Sequence, residues 1–364
     1  MNNTITAEIY ETRREKLRKK MHSKGLDALI INYDANRFYL SGFELKDSQK
    51  NESSGLLIIT SSGKDWLCTD SRFYEAAKRL WDEKYIFIYK TNPAEQIGEL
   101  IKNNITGKIG FEANTTSVNF YHKLLSFFNT NQTLVPSDGL VEELRIIKDN
   151  HEIELLSRAC KLNHELMNAV PQMLKNGASE IQIAWDIEQF FRNKGASGLS
   201  FESIVAIGKN AALPHAIPSN EKTIDNCPVL VDVGCRLNDY CSDQTRTFWV
   251  GDKPTKSFKE TFSQVQEAQM AAIEILRPGL SVNEAYSTAL NIFKKYKVEQ
   301  YFTHGLGHGI GLETHETPSL NATRTTILEA GMVITVEPGL YYSDWGGVRL
   351  EFMVLITENG YKIL

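Results

Sequence analysis

The chain has 364 residues, 40 of them basic and 45 acidic, for a formal net charge of −5 at pH 7. That length can bury large cores and suits two domains, while the charge balance leaves no basic field for nucleic acid and no cationic footprint for a membrane surface. No run of eighteen apolar residues occurs, and Met1 to Ala7 shows no charged region followed by an apolar stretch, so the expectation is a soluble, cytoplasmic protein that meets neither membrane nor nucleic acid.

Helical and strand patterns alternate from residue 8 to about 132. Residues 13–21 read as an amphipathic helix with a solvated basic face and 26–32 as a strand. Further strands are expected at 54–59, 85–89 and 108–112, and helices at 72–80, 94–102 and 118–128. Residues 1–140 thus read as an α/β domain whose composition names no chemistry. Residues 141–149 then lead into a long helix near Asn150, and 141–364 read as a second, α+β domain. Its first helices are expected at about 150–170 and 179–194, the second opened by the Ser179 to Gln182 capping spacing, before a strand at 201–207.

His215 follows in the turn-rich Leu213-Pro-His-Ala-Ile-Pro218. Residues 229–251 then read as an apolar strand, an Asn238-Asp239 turn signal and a second strand. Folded there, Asp232 and Asp243 fall opposite or diagonally across the hairpin. A helix over 255–276 is broken by Arg277-Pro-Gly279, and Ser281 to Glu284 opens another. The loop 304–318 holds three of the eight histidines, His304, His308 and His315, among alternating glycines that let backbone approach a ligand closely. Residues 334–356 repeat the hairpin device with a longer loop at 344–347, making Glu337 and Glu351 neighbours. Helices followed by an acidic hairpin therefore occur twice.

Four carboxylates converging beside His308 would repel one another and lose hydration unless protonated or neutralised. Two divalent cations would neutralise them. An oxygen-rich set with a single imidazole suits Mn, Co, Fe or Zn, whereas structural zinc prefers thiolates. Cys68, Cys160, Cys227, Cys235 and Cys241 show no CxxC spacing and read as small, partly buried residues. Cys235 and Cys241 flank the proposed turn, which makes a disulfide conceivable, though a cytoplasmic compartment disfavours one. The scattered His22, His122, His151 and His164 read as ordinary surface or core side chains.

Asp232, Asp243, His308, Glu337 and Glu351, with Ser242-Asp-Gln-Thr-Arg-Thr247, Gly307-His-Gly-Ile-Gly311, His315-Glu316 and Val348-Arg-Leu-Glu351, resemble the pita-bread metallopeptidases. Within that superfamily they are most similar to the Xaa-Pro aminopeptidases and Xaa-Pro dipeptidases (prolidases). The order Asp, Asp, His, Glu, Glu at these intervals is specific where each motif alone is not. The resemblance implies a creatinase-like N-terminal domain that shapes the mouth of the site and contributes to homodimer contacts, followed by a pita-bread catalytic domain with the metals between its halves. It also implies two divalent ions per subunit, Mn or Co foremost and Zn or Fe as alternatives. Asp232 would bind one ion, His308 and Glu337 the other, with Asp243 and Glu351 bridging. Glu337 would take a proton from a metal-activated water and pass it to the leaving nitrogen. His215 and His315 would hydrogen-bond the scissile region, and His304 would shape the proline pocket. Arg349, on the same strand face as Glu351, would orient carboxylates, an ordinary salt bridge being the plainer reading. Phe352 departs from the acidic residue many relatives carry there, which concerns a supporting contact and not the ligands.

The leading functional expectation is an aminopeptidase acting on peptides with proline at the second position. The alternative is an Xaa-Pro dipeptidase, which also needs a cation for the proline carboxylate. A metal-free hydrolase of the creatinase kind, methionine aminopeptidase and a non-catalytic binding protein on the same scaffold are more remote, given the complete ligand set and the large N-terminal domain.

Overall fold

A run of four residues buried on both sides, Ala28–Ile31, marks the centre of a covered sheet. In the computed structural model, which describes residues 7–45, 47, 52–174 and 177–364, that run is β1. The segment read for targeting signals lies outside the described residues except for Ala7. The chain separates into two compact units, Met1–Arg145 and Ile146–Leu364.

In the first unit β1 pairs antiparallel with β2 (Leu56–Thr60) and parallel with β5 (Gly107–Phe111). With β3 (Trp66–Thr69), β4 (Ile86–Ile88) and β6 (Gln132–Pro136) it forms a mixed six-stranded sheet in the order β4-β3-β2-β1-β5-β6. Helices Ala7–Ser23, Pro93–Asn104 and Val118–Leu125 stand where periodicity predicts them. The helix expected at 72–80 is a 3-10 turn, Ser71–Phe73, followed by the short helix Tyr74–Lys78. The helix Asp34–Ser41 was not expected. It is buried almost all round, with Asn36 and Arg37 inside, so it lacks the polar face that an amphipathic pattern requires.

The second unit contains two sets of helices, each laid on its own antiparallel sheet. Asn150–Met173 opens with a full Asp149/Glu152 capping box, and Glu180–Asn193 with Ser179 accepting from the Gln182 amide. They pack through Leu162, Leu166, Ile183 and Ile187 onto Val229, Val231 and Val233. Those valines belong to β9 (Cys227–Val233), which lies between β8 (Ile204–Ile207) and β12 (Gln244–Val250). A smaller sheet joins β7 (Gly198–Leu199), β10 (Cys235–Leu237) and β11 (Tyr240–Cys241). The second set, Lys256–Glu274 and Val282–Tyr296, packs through Val265, Ala272 and Phe293 against Ile334 and Val354. Its sheet runs β14-β13-β15-β18-β19, formed by Gly307–Gly309 (β13), Glu316–Leu320 (β14), Val333–Val336 (β15), Phe352–Thr357 (β18) and Gly360–Ile363 (β19). The strands β16 (Gly339–Tyr342) and β17 (Gly346–Arg349) pair with each other as a separate two-stranded sheet. Among the described residues no helix is long and apolar enough to cross a membrane.

All five cysteines are free and buried, more deeply than expected, and the conceivable Cys235–Cys241 disulfide is not formed. The register pairs Cys241 with Arg236, so Cys235 points to the opposite face of the ribbon. Burial pushes the Cys235 thiol up to about 11 and Cys160 up to about 12, which keeps both protonated.

Candidate metal centre

Each acidic pair is set by the register of its own hairpin. Asn238 and Asp239 both take positive φ, 49° and 72°, as a tight two-residue turn between right-twisted strands requires. The ladder then places Thr245 opposite Asp232. Asp243, two residues earlier, is the diagonal neighbour on the same face. In the second hairpin Val336 faces Phe352 and Gly339 faces Arg349, which sets Glu337 opposite Glu351.

One hairpin meets the other where the Glu351 amide donates to the Thr245 carbonyl at 3.0 Å. Ligand atoms of Asp243, His308 and Glu351 then lie within 4.8 Å of one another. His308 Nε2 is 3.3 Å from Glu337 Oε1 and 3.7 Å from Asp243 Oδ2. Its Nδ1 lies 3.0 Å from the Gly309 carbonyl, an acceptor, so a proton belongs on Nδ1, and Nε2 is turned to the carboxylates, where it can carry a second proton or offer its lone pair to a cation.

For two of the five candidate ligands, Asp232 and Glu351, the protein holds one carboxylate oxygen and leaves the other open. Arg349 Nη2 donates to Asp232 Oδ2 at 2.6 Å, while the buried Asp232 Oδ1 has no hydrogen-bond partner among the described residues. Thr245 Oγ1 donates to Glu351 Oε2 at 2.8 Å, while the buried Glu351 Oε1 has no partner among the described residues either. A buried carboxylate oxygen without a donor is costly. Burial, followed by the charges of the neighbouring carboxylates, raises both Asp243 and Glu351 well above the usual carboxylate range. Glu337 differs. Burial alone would raise it, but the bond to His308 and that residue's charge bring it below its ordinary value. Orphaned oxygens, mutually repelling carboxylates and one presented imidazole fit hard or borderline divalent cations.

Around this cluster the remaining expected residues fall into two groups. Arg349 is buried, and besides Asp232 it bonds Thr245 Oγ1 at 3.2 Å, the Tyr341 hydroxyl at 2.9 Å and the Pro214 carbonyl at 3.2 Å. His304 turns Nε2 to the Tyr341 hydroxyl at 2.8 Å and Nδ1 to the Gly305 carbonyl at 2.7 Å. Burial lowers its pKa. His315 and His215 are exposed. The His315 ring stands edge-on to His308, with centroids 4.3 Å apart, and partial burial followed by the charge of His308 lowers its pKa. His215 lies close enough to disfavour protonation of His304 and His315. Phe352 carries the Arg246 guanidinium over its ring at 5.9 Å.

Sequence reasoning missed Tyr341, Thr335 and Lys148. Tyr341 shares a hairpin face with Arg349, a relation that counting alternate residues from the Gly339 to Arg349 pair would have found. Thr335 Oγ1 bridges the His308 amide at 3.0 Å and Glu337 Oε1 at 3.3 Å. Lys148 forms a buried ion pair of 3.1 Å with Glu316, the residue after His315. No local pattern announces that pairing of residues 168 positions apart.

Residues 154–358 match metallopeptidase family M24, and residues 13–147 match the creatinase/prolidase N-terminal domain. The chain is 36% identical over 352 residues to the Xaa-Pro dipeptidase of Pyrococcus furiosus, covering 97% of each protein. Its structure is similar to that of an Xaa-Pro dipeptidase from Bacillus anthracis, with a TM-score of 0.90, 31% identity and 97% of each chain covered. It also resembles an X-Pro aminopeptidase from Thermotoga maritima, with a TM-score of 0.83, 30% identity and coverage of 93% of this chain and 95% of that one. With its helices and acidic hairpins duplicated as in the pita-bread fold, the chain belongs to metallopeptidase family M24 and is a hydrolase with a creatinase-type N-terminal domain.

Proposed function

We propose that the protein is a dinuclear metal-dependent exopeptidase that cleaves Xaa-Pro dipeptides. The observation that carries the metal part is the pair of buried, unpartnered oxygens, Asp232 Oδ1 and Glu351 Oε1, facing a cluster of further carboxylates and His308. The substrate part follows the relatives. The sequence alone put the aminopeptidase first, but the proteins from Pyrococcus furiosus and Bacillus anthracis bear the dipeptidase name, which favours the alternative. Mn or Co suits the donor set. A homodimer in the cytoplasm belongs to the same proposal.

Bound divalent cations would supply a water acidified toward neutrality and polarise the scissile carbonyl. Asp232 would hold one cation, His308 and Glu337 the other, and Asp243 and Glu351 would lie between them. The Glu351 Oε2 that accepts from Thr245 keeps a second lone pair for this purpose. Arg349 and Thr245 fix the carboxylate planes before any ligand arrives, so binding does not have to order them. Glu337 would be ionised beside the cations and could then accept a proton and return it to the amide nitrogen. Proline makes that nitrogen tertiary, and it must be protonated before it leaves as a secondary amine.

The proposal is tested by comparing Ala-Pro with Ala-Pro-Ala on Mn-loaded protein. A kcat/KM higher for the dipeptide is expected; preference for the tripeptide would restore the aminopeptidase reading, and cleavage of neither would end both. His315, exposed beside His308, is assigned to the substrate. His315→Ala should keep full metal content while turnover falls on the order of 10²-fold or more, the scale for losing one oxyanion donor. Loss of metal in that variant would show the loop to be misassigned.

A further inference from the structure

Asp232 and Asp243 flank a short break in the ladder of the first hairpin. The β9–β12 ladder stops at the pair Val233 and Gln244, and beyond it β10 pairs with β11 on one side and β7 on the other. The two strands pinch at Gly234, where a Cβ would stand 2.0 Å from the Ser242 carbonyl oxygen, so only glycine fits. The Asp243 amide faces away from the partner arm and donates to Met353 Sδ at 3.3 Å. The register resumes unchanged at Arg236 and Cys241 and the Ser242 amide still donates to the Cys235 carbonyl at 2.9 Å, so the break narrows the hairpin locally and leaves its pairing intact.

One side chain from outside the sheet spans the break. Asn163, fully buried in the helix Asn150–Met173, donates through Nδ2 to the Val233 carbonyl at 3.3 Å. Its Oδ1 accepts from Ser242 Oγ at 2.9 Å, shorter than the 3.2 Å alternative from that hydroxyl to the Cys235 carbonyl. The same Ser242 Oγ accepts the Cys235 amide at 3.0 Å. Val233 directly follows Asp232, and Ser242 directly precedes Asp243. A single amide thus holds the neighbours of both aspartates, and its planar geometry gives it one donor edge and one acceptor edge to do so.

We propose that Asn163 is a positioning residue for the metal centre, and that through Val233 and Ser242 it sets the separation of Asp232 and Asp243 at which two divalent cations bind. The proposal rests on the dinuclear reading above. Metal ligands tolerate only a few tenths of an ångström in placement, and the outer contacts that orient them are worth about 10- to 100-fold in affinity.

The test titrates Mn2+ calorimetrically into chelator-stripped full-length protein, with no activity measured. Wild type should take two ions. Asn163→Leu and Ser242→Ala should each bind Mn about 10- to 100-fold more weakly, and the double variant should lose little beyond the larger single effect, because both act through one contact. Leu276→Ala, a cavity variant in the other core of the unit, serves as the control for general destabilisation and should bind Mn as wild type does. If Asn163→Leu does not fold, Ser242→Ala, which removes one oxygen atom, carries the same expectation. Unchanged affinity in the folded variants overturns the assignment, and so does a Leu276→Ala control weakened as much as they are. Wild type taking fewer than two ions overturns the dinuclear reading itself, a failure distinct from that of Asn163.

Discussion

Asp243→Asn should melt higher than wild type in the presence of a chelator and lower than wild type when Mn is supplied. Without metal, burial first and then the charges of Glu351, Asp232 and Glu337 raise the pKa of Asp243. A carboxyl that holds its proton more tightly folded than unfolded contributes stability in full below its ordinary pKa near 4. That contribution is lost as pH rises through the raised value, so metal-free protein should weaken from mildly acid to neutral pH. Removing the acid relieves this penalty, and at about 1–3 kcal/mol for a badly placed buried group the gain should be several degrees. Metal reverses the order, because a cation binding only the folded state stabilises it by mass action and the variant binds it poorly. Turnover should fall in parallel. Losing several kcal/mol of charge stabilisation, at roughly 1.4 kcal/mol per tenfold, lowers the rate by on the order of 10³-fold, and His308→Ala should do the same. Calorimetric melts of both proteins with and without Mn decide it. Curves that shift alike in the two conditions would remove Asp243 from the ligand set.

Glu337→Gln separates two roles that the geometry assigns to one side chain. Glu337 Oε1 lies 3.3 Å from both His308 Nε2 and Thr335 Oγ1, and glutamine retains a carbonyl oxygen that can occupy that position. An amide cannot take up a proton at ordinary pH. If proton transfer dominates, metal content should stay at two ions while turnover falls by roughly 10² to 10⁴, with little change in affinity for a non-hydrolysed peptide analogue. If ligation dominates, one ion should be lost and excess Mn or Co should restore much of the rate. Metal stoichiometry and turnover measured on a single preparation distinguish the two. Two ions with wild-type turnover would remove both roles and the mechanism with them.

The order of the five candidate ligands and the pairing inside each hairpin were legible in the sequence because both are local. The positive φ angles at Asn238 and Asp239 belong to turn residues that tolerate them, and alternation along the strands then dictates which residues share a face. The same logic located the capped helices, whose polar faces show their period, and missed Asp34–Ser41, which has no such face. What brings one hairpin to the other has no local signature. The Thr245 to Glu351 contact, the Arg349 to Asp232 pair 117 positions apart and the Asn163 bond across the aspartate break all form only when helices and sheets pack. Periodicity reports which side of an element seeks the core, whereas the partner found there is set by how the two halves close on each other. The residue types that could hold metal were therefore determined by sequence alone. The orphaned oxygens of Asp232 and Glu351, and the donors that hold their opposite sides, were decided by the tertiary structure, because burial removes the water that would otherwise have satisfied them.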